Sequence, residues 1–354
     1  MIIKLNLMKI LVLILFNLIV SVFSQIKESY NYRKLNLQNE IKIKTIGKDK
    51  QNLLYFGFPE KPSEIIINEH PGYIDENNTI ISSLDDENII IMKWDHRFSD
   101  CNSMFKNLTN IIEIDMSNFD ISEVISMNHI FSSCANLKKV IIGDNFNSSQ
   151  VEDMSYAFNG CESLISLDLS HFDTSSSTNF AYMFSNCTLL TSLDLSNFNT
   201  SSVTFANSMF SDCHSLKSID LSSFNTTNFV YIISFFINCY SLKSVDLSNF
   251  DASKIFTFQL MFANCISLTS LDLSNFNTPN LRVTYGMFYG CTQLQYINIT
   301  NFNTSLVTIS SFMFENCFKL ISIDMPNFIG TNNSYMEEMF KNCTNLQCNK
   351  KSCH

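Results

Sequence analysis

Eight cysteines, Cys161, Cys187, Cys213, Cys239, Cys265, Cys291, Cys317 and Cys343, follow one another at intervals of 26 residues without a slip. An interval of this length marks a chain that stacks one small unit on the next, because a single unit cannot bury its apolar face alone. Cys134 precedes Cys161 by 27 residues, and the extra residue falls near Gly143 in IIGDNF. Leu108 stands 26 before Cys134 inside MFKNLTNIIEIDMSNF and takes the place of a cysteine. Ten register points close nine units, so the spacing predicts about nine 26-residue coils over residues 101–343.

Each unit reads C-x-x-L-x-S-L-D-L-S-N-F-N-T-S, followed by a return that ends in Met-Phe two residues before the next Cys. In CESLISLDLSHF, Leu167 and Leu169 alternate with Ser166, Asp168 and Ser170. A period of two is a short strand with Leu inward and Ser or Asp outward. Two aromatic rows follow the register, one from Phe119 to Phe328 after the strand and one from Phe105 to Phe340 before the Cys. Together they hold 19 of the 32 Phe residues, and with the Met residues they are core filler. The residue just before each Cys is Asn, Gly, Asp or Ser, as in Gly160, Asn186 and Asp212, and Asn and Gly enter the left-handed region at least cost. That pattern predicts a short helical turn closed by a left-handed cap. The expected fold class is therefore an α/β repeat. It is a leucine-rich-repeat solenoid with a parallel β-sheet on one face, short helices or turns on the other, and a β-rich N-terminal cap.

The units LDLSNFNTSSVT and MFSDC resemble the BspA-like leucine-rich repeats, and in particular their mycoplasma-type surface-protein variant. Met127, Met154 and Met336 match the extra Met of that pattern, and the resemblance spans about residues 100–345. It implies a secreted or surface-displayed repeat protein used in adhesion and partner contact, and it implies no catalytic residues. Phe235 in place of Met, Ala157 in another unit and the lack of a Cys after the N-terminal apolar run depart from it.

Residues 1–24 read as a secretory signal. Lys4 and Lys9 flank an apolar run from Ile10 to Val22, and Val22 and Ser24 fit a cut before Gln25. The run is about 13 residues, shorter than the ~20 of a bilayer span, so the expected address is secreted or extracellular, with surface association an open option. Residues 25–100 lack the 26-residue register. The segments Ile41–Ile46, Ile65–Ile67 and Ile89–Lys93 read as strands, which suits a cap over the exposed end of a solenoid. A separate binding domain is the alternative for that region. Residues 344–354 form a short C-terminal cap.

The Cys row runs along an axis at one thiol per coil, which suits no mononuclear metal site, and the expected state is a buried, reduced ladder. Cys348 and Cys353 lie off the register near Cys343, so a disulfide is expected in the C-terminal cap, while Cys101 has no evident partner. The outward strand row holds Asp115, Asp168, Asp194, Asp220, Asp246, Asp272 and Asp324, interrupted by Ile141 and Asn298. The run Asp168, Asp194, Asp220, Asp246 and Asp272 is the candidate ligand-binding stripe on the concave face. It suits a cationic or polar ligand: a protein or a glycan on a partner cell or matrix, with Ca²⁺ as a further option. Against this stands a solvated face imposed by repetition alone. Asn147, Asn199, Asn225 and Asn303 are N-x-S/T triplets at one loop position and would carry a row of glycans if modified.

No G-x-S-x-G, H-E-x-x-H, P-loop or G-x-G-x-x-G occurs, and the six His residues share no register. The formal charge of −10 becomes −12 once Lys4 and Lys9 are removed, which argues against a nucleic-acid partner. The expectation is thus a non-enzymatic binding or adhesion module with no cofactor and no stable membrane span. Its alternative is a self-associating coat or matrix component.

Overall fold

A computed structural model describes residues 39–144, 146–324 and 338–347. The expected signal peptide, Phe328, Met336, and the cap disulfide of Cys348 or Cys353 lie outside the described residues.

The N-terminal region is a twisted sheet built on alternating Ile. In β1 (Asn39–Ile46) every second residue is buried, Ile41 and Ile43 among them, while Lys42 faces solvent. The other strands here are β2 (Glu64–Ile67), β3 (His70–Pro71), β4 (Glu87–Trp94), β5 (Ile111–Asn118) and β6 (Lys139–Ile141). They lie in the order β3-β2-β4-β1-β5-β6. Ile43 of β1 faces Ile90 of β4 on one side and Ile114 of β5 on the other, both antiparallel. β5 is the strand of the first coil and pairs in parallel with β6 of the second. The sheet is therefore continuous with the solenoid, and β1 covers the edge that the first coil would expose. Trp94 sits edge-on to Phe98 at 5.4 Å and to Phe119 at 5.8 Å, which joins the cap to the first ring of the Phe row. Arg97 bridges Asp120 and Glu123, each at 2.8 Å, across the same seam.

From Asp100 on, the chain winds as a solenoid of about eight stacked turns, traced by parallel bridges that step once per coil to Ile309. Its later strands are three residues each: β7 (Ser218–Asp220), β8 (Ser244–Asp246), β9 (Ser270–Asp272), β10 (Tyr296–Asn298) and β11 (Ser322–Asp324). β7 pairs with β8, and β9, β10 and β11 form a second parallel group. The extra residue of the 27-residue interval falls beside Gly143, where a Cβ would lie 2.7 Å from the Ser117 carbonyl oxygen, so only Gly fits that close approach.

The return side departs from the expected α/β class, because no helix occurs among the described residues. Counting back from each register Cys, the N–H groups of the seventh, fifth, third and first residues reach the next coil. Met127, His129, Phe131 and Ser133 donate to the carbonyls of Asp153, Ser155, Ala157 and Asn159 at 2.6–3.0 Å. The N–H groups between them close four-residue turns, such as Ile130 to Met127 and Cys134 to Phe131, both at 3.1 Å. The left-handed residue expected before each Cys is present, for instance Asn186 at φ 58° and Asn238 at φ 61°. A second one lies four residues earlier, at Tyr182 (φ 58°) and Ser234 (φ 55°). A left-handed residue every four positions breaks an α-helix, whose hydrogen bonds need an unbroken right-handed run. A helix is also about 10 Å across, twice the ~4.8 Å between stacked strands. Stacked turns repeat at the strand interval, so the wedge that helices would add on this side is missing.

That common interval lets side chains stack. Ten rings from Phe105 to Phe340 form one column with centroids 5.3–5.8 Å apart. Beside it each register thiol donates to the Phe carbonyl of the preceding coil, from Cys134 to Phe105 through Cys343 to Phe314, at 3.0–3.3 Å. Each of these carbonyls but that of Phe105 is seen to accept the N–H of its own coil's Cys as well, so the thiol fills a second lone pair that burial would leave empty. Burial pushes the thiols of Cys134, Cys187 and Cys291 up to about 12. Cys101 occupies the core position that Met127 and Met154 hold in later coils, and it is fully buried.

Candidate ligand-binding face

The strands β7 to β10 present Ser, an inward apolar residue (buried except for the half-buried Val245) and Asp or Asn in turn, except that Tyr296 replaces the Ser in β10. Parallel register sets Asp220 beside Asp246, and Asp272 beside Asn298, which is followed by Asp324. A shallow groove of about 770 Å³ lies over these strands, with Asp220, Asp246 and Asp272 along it and Tyr296 at one end. Asp168 and Asp194 are exposed at the same register position but lie outside the groove. In their coils no strand is formed.

Each Asp has a structural task as well as an outward charge. One carboxylate oxygen accepts the N–H two residues on: Ser170 to Asp168, Ser196 to Asp194, Ser222 to Asp220, Ser248 to Asp246 and Ser274 to Asp272, at 2.8–3.0 Å. This is an Asx turn that ends the strand and leads the chain toward the buried Phe. Hydrogen bonds from Ser170, Ser196 and Ser222 hold the carboxyls of Asp168, Asp194 and Asp220 below the usual carboxylate range. Among the described residues no group of three His, Cys, Asp or Glu side chains comes close enough to hold a metal ion.

Tyr296 was not singled out from the sequence, although it breaks the Ser row that runs through Ser218, Ser244 and Ser270. Its hydroxyl donates to Asp324 at 2.6 Å, and that bond raises its own pKa. Asn275 at the groove wall donates to the Leu247 carbonyl at 2.8 Å.

A second row of Asx turns follows the buried Phe. Asn147, Asn199, Asn225 and Asn303 accept the N–H two residues on at 3.1–3.2 Å, and Asp120, Asp173 and Asp251 do the same elsewhere in the row. The Asn-x-Ser/Thr triplets at this position therefore have a reason in the turn itself. The intervening Ser148, Thr200, Thr226 and Thr304 are buried, and Thr200 bonds the next coil at the Asn225 carbonyl at 2.9 Å.

Residues 99–218, 168–270 and 232–353 match, in three overlapping copies, the family described as "Mycoplasma protein of unknown function, DUF285". The chain belongs to this family. The mycoplasma-type repeat read from LDLSNF and MF-x-x-C is the one matched. Among solved structures, a leucine-rich repeat protein of T. pallidum aligns at 21% identity over 47% of this chain and 69% of its own, with a TM-score of 0.34. A leucine-rich cell surface protein of Faecalibacterium prausnitzii aligns at 17% identity over 73% of this chain and 83% of its own, with a TM-score of 0.30. A leucine-rich repeat protein of Eubacterium ventriosum aligns at 16% over 65% and 77%, with a TM-score of 0.23. No curated protein matches the chain. Among the described residues no helix is long and apolar enough to cross a membrane.

Proposed function

We propose that this member of the family is a secreted, non-enzymatic binding and adhesion module that meets its partner through the Ser-Asp-Ser strand face. In this reading, residues 1–24 direct secretion, residues 25–100 cap a solenoid of nine 26-residue coils over residues 101–343, and residues 344–354 close the other end. Asp168, Asp194, Asp220, Asp246 and Asp272 supply the contact, with a protein or glycan on a partner cell or matrix as the ligand. The observation that carries it is the groove over Asp220, Asp246 and Asp272, whose second carboxylate oxygens are not needed by the turns. A row of like charges about 4.8 Å apart favours a polycationic segment, since one cation per coil relieves the repulsion between neighbours.

The test is Asp220→Asn together with Asp246→Asn. Asn keeps the turn acceptor and removes the charge, so the fold should stay while binding to a polylysine-type peptide or to cultured-cell surfaces falls at least tenfold. Binding that persists unchanged in the folded double variant sinks the strand-face reading.

A further inference from the structure

The ladder of thiols is uniform until its last step. Every register thiol from Cys134 to Cys317 is buried, and Cys343 at the end is half-buried, between the exposed Asn342 and Thr344. The other end offers no such opening, because the register position beyond Cys134 is the buried Leu108. Among the register thiols, Cys317 and Cys343 are also the pair whose side chains hydrogen-bond to each other. The Cys317 S–H has two acceptors in reach, the Phe288 carbonyl at 3.1 Å and the Cys343 sulfur. Around the pair the two coils are clamped together. Phe314 and Asn316 donate their N–H groups to the Met339 and Lys341 carbonyls, both at 2.9 Å, and the Asn342 amide donates to Asn316 Oδ1 at 2.7 Å. Coils so held set equivalent Cα atoms about 4.8 Å apart, inside the roughly 4.4–6.8 Å that a disulfide spans. The same spacing recurs at every register pair, so access decides which pair can be oxidised.

We propose that Cys317 and Cys343 close a reversible disulfide between the last two coils, formed by exchange with a low-molecular-weight disulfide. Cys343 makes the first attack. The bond from Cys317 holds its thiol below the usual value, while the same bond, with burial second, pushes Cys317 up. The Cys343 thiolate displaces one half of the oxidant as a thiolate and becomes a mixed disulfide. The Cys317 sulfur then attacks Cys343 Sγ and releases the second half. The two thiol protons pass through solvent to the two released thiolates. The chain thus loses two S–H bonds and gains one S–S bond, and the oxidant leaves as two reduced thiols.

The link leaves no buried carbonyl bare. Phe288 and Phe314 each lose an S–H donor but keep the N–H of Cys291 and Cys317, both at 3.1 Å. The last coil of a stack has a neighbour on one side only and opens first. A cross-link over the 26-residue interval ties that coil to the one before it. Secretion would supply the oxidising surroundings; the experiment supplies its own oxidant, so the two readings fail separately.

The test is to incubate the full chain with oxidised glutathione, alkylate the remaining thiols in denaturant and map the unreduced peptides by mass spectrometry. The expected product links Cys317 to Cys343, with Cys134 to Cys291 still reduced, and dithiothreitol reverses it. Trypsin cleavage at the exposed Lys341 should be slower by about tenfold or more in the linked chain. Cys317→Ser should stall Cys343 as its glutathione adduct. Cys343→Ser, a change at a half-buried site, should leave Cys317 unmodified, and Cys348→Ser with Cys353→Ser should keep the link. The proposal is overturned if Cys343 pairs with Cys348 or Cys353, if the wild-type chain stops at the glutathione adduct, or if every register thiol stays reduced. Equal cleavage of the linked and reduced chains overturns the role of the link as a lock on the last coil.

Discussion

The strand side and the return side of each coil repeat at the same interval but are held together unequally. On the strand side, beyond the eight-residue β5 of the first coil, pairing is confined to three-residue strands in separate groups, and the coils of Leu167 and Leu193 form none. On the return side, up to four N–H bonds per coil, a column of ten rings and a ladder of thiols run on through those same coils. The side marked by the repeated Leu-Asp-Leu motif is thus the lighter structural element. The continuous bonding lies in the turns, which leaves the outward residues of the strand face less bound by the scaffold.

The strongest way to break this contrast is alkaline pH, because only the return side holds a row of buried acids. Burial raises the folded pKa of every register thiol from Cys134 to Cys291, and at Cys317 a hydrogen bond with Cys343 does so first, with burial second. Their contribution is complete below the unfolded thiol value and is lost as pH rises toward the folded values. Eight such thiols with Cys101 give a slope of about 12 kcal/mol per pH unit above roughly pH 9. Far-ultraviolet dichroism should therefore show unfolding within about one to two units of that point. A chain still folded at pH 12 would remove the thiol ladder from the account.

Next in size is Phe236→Ala in the ring column, expected to cost about 3–5 kcal/mol in urea unfolding. Val245→Ala on the strand, at a half-buried position, should cost about 1 kcal/mol. Equal losses would mean that the two sides share the load. Cys239→Ala removes a thiol donor from the Phe210 carbonyl and leaves a small void, worth about 1–2 kcal/mol by the same assay. Smallest is Ser234→Gly, which relieves a left-handed residue where Gly286 already serves two coils on. It should stabilise by about 0.5 kcal/mol, measured as a slightly higher urea midpoint.

Much of this was legible in the sequence because repetition amplifies it. The Cys interval gave the coil, and the alternation of apolar residues with Asp gave the strands β7 to β9. The coil of Ser166 to Ser170 keeps only the alternating burial and forms no strand. Ile41 to Ile46 gave the strand β1, which reads as an edge strand but is paired on both sides, by β4 and β5. The helices were misjudged for an identifiable reason. Asn186 and Gly160 announce a left-handed backbone by their type, whereas the equivalent residues four earlier are Tyr182 and Tyr156, whose type gives no such warning. The acceptors of the thiol ladder are backbone carbonyls of another coil, so no residue spells them out. At the candidate site the Asp row was visible, yet its division into groove residues and bystanders depends on which coils form strands. Pattern alone gives Asp194 and Asp220 the same standing.

Gly143 bears on how such a surface could diversify. One surplus residue is absorbed at the corner that follows the strand, and the column on the far side, Phe131 to Phe158, continues at 5.3 Å as though nothing had been added. That corner acts as an expansion joint. Insertions there would reshape the rim of the strand face while leaving the inner stacks in step, so a new surface could arise by lengthening one bend of one coil without rebuilding the scaffold.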